Sequence, residues 1–400
     1  YAQPYTIETF DDIEALEART AFSIYPVDPA KPAASPQYAA GEDAAGGDGA
    51  LTVTLPAKAR VTFAVDPELV WDNEEWDACN AIRFWLKGDG SDGYGCVAFG
   101  PRYPYLYEVW FPLKDTNWHQ VTYRLDELVS MSDVGPMGSP GMAPPSGIAT
   151  LVLGTRWHLI WNNEPKPEYS FSIDNVELIT DAPAPEPTPK PRDLNEVLQM
   201  MWDKQPVRIY CMGDSITAGT GLENKYEEQY AAVLQGLLRQ RLGYDDVTVE
   251  SRAVGGAKLV DARVWAERDF AGDTPDLATI CYGYNNKSAG QTKEFFKRSL
   301  KDYIVRICRL TGGATAIVPI TTLPGGQWRF VMMDDYADGV REVCAERGLE
   351  CLDLAAEVKQ LGRMTWQTDY LRDRAHPSSD GHRRLAERMA EWSVTRVEEL

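Results

Sequence analysis

The sequence predicts two folded units in series, an all-β sandwich followed by a three-layer α/β unit on a parallel sheet. Three observations carry this expectation. Short stretches with period-two alternation recur through residues 1–180, with no long helical pattern among them. A proline-alternating segment, Asp181-Ala-Pro-Ala-Pro-Glu-Pro-Thr-Pro-Lys-Pro-Arg192, then interrupts the chain. From Leu194 onward strand-like and helix-like patterns alternate, as βα units do. A chain of 400 residues also exceeds what one hydrophobic core usually holds.

In residues 1–180 the alternation is read in Leu51-Thr-Val-Thr-Leu55, Arg60–Val65, Ala81–Leu86, His119–Leu125 and Ser170–Leu178. Gly, Pro and Asp punctuate these runs, and two stretches, Pro29–Gly49 and Ser130–Gly147, read as surface loops. The opening Ile7-Glu-Thr-Phe-Asp-Asp12, the central Trp118–Tyr123 and the closing Phe171–Leu178 resemble the jelly-roll modules of the carbohydrate-binding type. That resemblance implies a glycan-binding role and a structural calcium near the module's termini. Asp11, Asp12 and Asp174 are the candidate oxygen ligands for it. Seven of the twelve tryptophans lie here, and Tyr103, Tyr105, Tyr107 and Trp110 crowd one segment. Exposed rings of that kind stack on sugars, although most are expected to fill the sandwich core. His119 and His158 sit inside strand patterns and read as structural.

Residues 181–193 read as a semi-rigid polyproline linker. In residues 194–400, strands are expected at Val207–Met212, Val247–Ser251, Leu277–Tyr282, Ala314–Pro319 and Leu349–Leu354. Helices are expected at Tyr226–Leu242, near Leu259–Ala266, and at Thr292–Leu310, Met332–Arg347 and Ser378–Glu399. Gly243 is placed to end the first of these. Five parallel strands with right-handed crossovers predict a flavodoxin-like three-layer arrangement.

A formal net charge of −20 opposes nucleic-acid and anionic-membrane partners. No apolar run is long enough to span a bilayer. The first residue is Tyr1 rather than Met, as expected of a processed or trimmed chain. The seven cysteines include no C-x-x-C and no metal-ligand spacing. Cys211 and Cys281 are expected in buried strands, and a Cys79–Cys96 disulfide is left open.

The chemistry is expected where Val207–Met212 ends in Gly213-Asp-Ser-Ile-Thr217. Open α/β sheets place their sites at the carboxyl ends of strands, and the Ser215 N–H is expected near a helix N-terminus, which favours negative charge. A serine hydroxyl needs a base, and the chain has four histidines: His119, His158, His376 and His382. His376 lies in Asp373-Arg-Ala-His-Pro377, where proline keeps it out of regular helix and Asp373 is near enough to orient its ring. His382 reads as a surface or capping residue, and Asp214 as a structural acceptor.

Four blocks in order make the second half resemble the SGNH, or GDSL-type, hydrolases: Gly213–Thr217, Ser251-Arg-Ala-Val-Gly-Gly-Ala-Lys258, Gly283-Tyr-Asn-Asn286 and Asp373–His376. The resemblance implies Ser215 as nucleophile, His376 as base and Asp373 as its orienting acid. Ser215 N–H, Gly256 N–H and the Asn285 amide would form the oxyanion hole. The chain departs from the family pattern at Ser251, Ala253, Lys258 and Asn286, which touches loop shape more than reaction type. Arg252, Trp328 and Trp366 are candidate substrate contacts, alongside Lys258 and Arg329 in neighbouring loops. The expected activity is a serine esterase removing O-acetyl or other short acyl groups from an acetylated polysaccharide or oligosaccharide, with no cofactor for catalysis. The architecture implies a secreted, cell-envelope or periplasmic protein of bacterial type. Alternatives are a lipolytic esterase, lysophospholipase or thioesterase, and a glycan-binding protein with an inactive hydrolase unit.

Overall fold

In the computed structural model the chain divides inside the proline-rich segment, into units Tyr1–Glu186 and Pro187–Leu400. The structure describes residues 3–24, 37–40, 43–56, 59–66, 73–101, 106–130, 132, 135–154 and 168–399. Tyr103, Tyr105 and His158 lie outside them. Each end of the expected spacer is tied to its own unit, with 183–187 exposed between them. The backbone of Ala182 exchanges hydrogen bonds with the Asn80 amide, and Arg124 donates to the Pro183 carbonyl. In the second unit Arg309 donates to Thr188, and Arg192 pairs with Asp276.

The first unit, among the described residues, is two six-stranded antiparallel sheets. One runs Gln37–Ala40, Leu51–Pro56, Glu168–Ile179, Ala81–Gly88, His119–Arg124, with Tyr5–Glu8 also on Glu168–Ile179. The other runs Val129–Ser130, Tyr107–Pro112, Tyr94–Gly100, Thr150–Leu153, Ala59–Ala64, Thr20–Ile24. Alternate residues of both sheets meet in one core, because period-two alternation sends every second side chain to the same face. The rings of Phe84 and Phe171, from the first sheet, pack edge-on against Phe111 of the second at 5.8 and 5.3 Å. Tyr107 and Trp110 are buried, so these two rings of the aromatic segment belong to packing rather than to an exposed platform. Cys79 and Cys96 are free thiols. Cys79 packs in the core, while the Cys96 Sγ donates to Glu108.

The expected calcium ligands do not converge as a set of three. Asp12 accepts from the Ala15 N–H as the cap of the Ile13–Ala18 helix. Asp11 instead accepts from the Asp48 and Gly49 N–H groups, and Asp174 from those of Ala45 and Gly46. Two carboxylates thus hold one loop. Among the described residues no group of three or more His, Cys, Asp or Glu is placed to hold a metal ion.

The second unit has a parallel sheet in the order Val247–Ser251, Val207–Gly213, Leu277–Cys281, Ala316–Pro319. The fifth strand expected at Leu349–Leu354 is reduced to one parallel bridge, Ile320 to Leu352. The reason is local. Gly348 ends the Asp334–Arg347 helix, and Asp353 already caps the Leu354–Leu361 helix by accepting from Ala356 N–H. Only a few residues remain extended between the two. Tyr226–Leu242 is likewise interrupted, as Lys225–Glu228 and Tyr230–Leu242, with Gln229 extended between them.

His382 is 1% exposed rather than on the surface. It stacks on the Tyr230 ring, and its Nδ1 accepts from the Tyr230 N–H, satisfying a free donor at the start of Tyr230–Leu242. Burial, with the nearby His376, pushes its pKa down to about 4. Between that value and the unfolded value near 6.5, only the unfolded chain takes up the proton. Stability is therefore expected to fall as pH drops from about 6.5 to 4, by roughly 2–3 kcal/mol. His382→Gln keeps an acceptor without the titration, so denaturant melts across this range should show a flatter pH dependence than wild type.

Candidate active site

The four parallel strands deliver their C-terminal ends to one edge of the sheet, and Ser215, Gly256 and Asn285 each lie a few residues past one of those ends. Gly213 ends the Val207–Gly213 strand. A Cβ there would fall 2.0 Å from Thr217 Oγ1 and 2.9 Å from the Cys281 carbonyl, so glycine lets the chain turn tightly at Asp214 and Ser215. No regular helix follows the serine. Ala218 N–H donates to the Asp214 carbonyl and Thr220 N–H to that of Ser215, giving turns up to Lys225.

His376 reaches this serine from the far end of the unit. Leu371 pairs with Pro377 in an antiparallel bridge, and Arg372 N–H donates to the His376 carbonyl, closing a tight loop. His376 Nε2 lies 3.0 Å from Ser215 Oγ. Its Nδ1 lies 2.9 and 3.1 Å from the two Asp373 oxygens. Asp373 Oδ1 also accepts from the Ala375 and His376 N–H groups at 2.7 and 2.8 Å. Burial opposes the Asp373 charge, but these backbone donors and the imidazole outweigh it and hold the carboxyl at about 2. The acid is a carboxylate at any ordinary pH.

The second and third loops flank the serine. A Cβ on Gly255 would lie 4.0 Å from that of Ser215. Gly256, exposed beside it, is in the left-handed region with φ 76°, which glycine adopts without steric cost. Asn285 Nδ2 donates to Asp214 Oδ2 and to the Ala257 carbonyl, at 3.2 and 3.1 Å. Asp214 is 2% exposed, and burial pushes its carboxyl up to about 6. Its other oxygen accepts from the Ile216 N–H, so it braces the turn as expected.

Asn286 is fully buried. It accepts from the Leu259 N–H and donates to Gln291, joining the second and third loops through both halves of its amide. Lys258 pairs with buried Asp261, whose carboxylate also accepts the Lys258 N–H.

The three candidate substrate contacts separate. Trp366 is fully buried and donates to the Pro324 carbonyl, so it is packing. The Arg252 guanidinium turns back along the sheet to Tyr210, Glu250 and Asp273, an ion network of its own. Trp328 alone is open to solvent, at 58%, with the Arg329 guanidinium over its ring.

Tyr284 and Gly326 complete the catalytic loop's support, and sequence reasoning missed both. The Tyr284 hydroxyl and the Gly326 N–H both donate to the Arg374 carbonyl, two residues before His376. Arg329 in turn donates to the Tyr284 hydroxyl and to Ser288. The Pro324-Gly-Gly326 run marks a loop in the sequence, but nothing there pairs it with Arg374. Tyr284→Phe removes one of the two donors, a loss of about 1 kcal/mol. It is expected to lower kcat about 3–10-fold with KM little changed. An unchanged kcat would mean Gly326 alone holds the loop.

A serine, a histidine and a carboxylate linked by hydrogen bonds at the edge of a parallel α/β sheet define a serine hydrolase. Residues 211–384 match the GDSL-like Lipase/Acylhydrolase family. The second unit is thus a GDSL-like lipase/acylhydrolase domain, and the protein is a carboxylic ester hydrolase. Similar solved structures include the acetyl xylan esterase AlAXEase, at 22% identity over 47% of this chain and 99% of that one, TM-score 0.40. Axe2, an acetylxylan esterase from Geobacillus stearothermophilus, is 20% identical over 47% and 94%, TM-score 0.39. The lipase/acylhydrolase from Enterococcus faecalis is 21% identical over 46% and 94%, TM-score 0.40. No curated protein matches the chain.

Proposed function

We propose that this protein is a serine esterase that removes O-acetyl or similar short acyl groups from an acetylated polysaccharide or oligosaccharide. The hydrogen-bond chain from Ser215 Oγ through His376 to Asp373 carries the reading. His376 Nε2 takes the Ser215 proton as Oγ attacks the ester carbonyl. Ser215 N–H, Gly256 N–H and the Asn285 amide then face the oxyanion. For Asn285 this means exchanging one of its resting contacts, to Asp214 or the Ala257 carbonyl, for the substrate oxygen. His376 returns its proton to the leaving alcohol, and water, deprotonated by the same nitrogen, releases the acid from the acyl-enzyme. This sequence runs on the chain's own groups, without a metal or organic cofactor.

The carbohydrate part rests on the two-sheet unit and its resemblance to carbohydrate-binding modules, and we assign that unit to glycan delivery outside the cell or in its envelope. Among the described residues no helix is long and apolar enough to cross a membrane. Acid release from acetylated polysaccharides, acetylated oligosaccharides and long-chain esters tests the reading. Cleavage confined to long-chain lipid esters or thioesters would overturn it.

Asp174 and Asp11 are our proposed carboxylate ligands for a structural calcium. Asp174 is fully buried, and its Oδ1 has no hydrogen-bond partner among the described residues. Burial pushes its carboxyl up, and the Asp11 charge adds to this, so a cation beside them would relieve both. Calcium added after chelation should raise the melting temperature, and an unchanged melt sinks the assignment.

A further inference from the structure

Cys344 and Cys351 lie far in sequence from Ser215 and take no part in its chemistry. Cys344 is buried in the last turn of the Asp334–Arg347 helix, and its carbonyl accepts from the Leu349 N–H across the turn at Gly348. Cys351 is half-buried, and the two thiols are close enough that each shifts the other's ionisation. Both sides of the turn are anchored. Leu352 exchanges backbone hydrogen bonds with Pro319 and Thr321 at the sheet edge. The next residue, Asp353, accepts two hydrogen bonds from Arg341, one turn before Cys344 on the same helix. The pair is therefore held together by the fold rather than by the flexible reach of a loop.

The pair is also asymmetric. The neighbouring Cys344 thiol lowers the Cys351 pKa, and the Cys351 thiol, with burial, raises that of Cys344. The more acidic sulfur is the accessible one, since Cys351 lines an open cavity of about 440 Å³ with Leu352, Asp353, Trp392 and Arg396.

We propose that Cys344 and Cys351 form a redox-active dithiol that closes to an intramolecular disulfide by exchange with a low-molecular-weight disulfide. The Cys351 thiolate attacks one sulfur of the small disulfide, forming a mixed disulfide and expelling one small thiolate. Cys344 loses its proton and attacks Cys351 Sγ, forming the internal bond and expelling the second small thiolate. The protein gives up two electrons and two protons, and the small disulfide becomes two thiols. The product staples the helix end to the segment that holds only one bridge of a fifth strand.

The test treats the intact protein with oxidised glutathione and maps its peptides without reduction. The expected result is a loss of two from seven free thiols, with Cys344 and Cys351 in one cross-linked fragment. The melting temperature should rise by about 3–8 °C and return on reduction. Cys344→Ser should stop at a glutathione adduct on Cys351, and Cys351→Ser should leave Cys344 unmodified. Wild type that keeps all its thiols, or that stops at the same adduct as Cys344→Ser, would overturn the proposal. If a variant fails to fold, the wild-type peptide map alone decides.

Discussion

Ser215→Ala is expected to lower kcat on short acyl esters by about 10⁴–10⁶-fold while leaving the fold unchanged. The hydroxyl is the only atom lost, and its hydrogen-bond partner in the site is His376 Nε2 at 3.0 Å. Without it no acyl-enzyme can form. What remains is binding plus whatever the oxyanion donors contribute to attack by water. Loss of the nucleophile should also remove the burst of alcohol release seen when acylation outruns deacylation. The thermal melt should stay within about 0.5 kcal/mol of wild type, because no buried group is left unpaired in a half-buried, solvent-facing position. Steady-state and burst kinetics on purified wild type and variant decide it. A variant retaining a tenth of the wild-type rate would place the nucleophile elsewhere. Background rates in both proteins would favour the alternative of an inactive hydrolase unit serving a glycan-binding protein.

The parts of this site that were legible in the sequence are those fixed by a local rule. Gly213-Asp-Ser215 follows an apolar β-prone run, so its position at a strand end could be read directly. His376 was separated from three other histidines by its neighbours, Asp373 and Pro377, and the structure places its ring between Asp373 and Ser215. The misreadings came where side chains meet across the sequence. His382 looked like a helix-surface residue because the Tyr230 N–H it serves is 152 positions away. Arg252, one residue past a strand, looked free to face the site, but Tyr210 and Asp273 draw its guanidinium back along the sheet. Trp366 carried no sign of its burial. The fifth strand failed for a different reason: helix stop and start signals at Gly348 and Asp353 stand too close together for a strand between them.

Asp373→Asn is expected to lower kcat by about 10²–10⁴-fold, less than loss of the serine but with a fold equally intact. Asparagine keeps the shape, and its Oδ1 can still accept from the Ala375 and His376 N–H groups. The other half of the amide is the difficulty. Where a carboxylate oxygen now lies 2.9 Å from His376 Nδ1, an NH₂ group would donate to that nitrogen. The imidazole then carries its proton on Nε2, facing Ser215, and the base is lost while its position is kept. Asp373 is held at about 2 by burial opposed and outweighed by its donors. The acid limb of the wild-type rate profile therefore does not come from this carboxyl. Since a depressed carboxyl stays charged above its folded value, the gap between wild type and Asp373→Asn should persist from pH 8 down to about pH 4. The 41% exposure of the Asp373 side chain bounds the effect from the other side, because water can partly replace its charge. Rate profiles of wild type, Asp373→Asn and Asp373→Ala settle the role. Recovery of the Asn variant at low pH, or a loss under tenfold, would mean that Ser215 and His376 work as a pair without the acid.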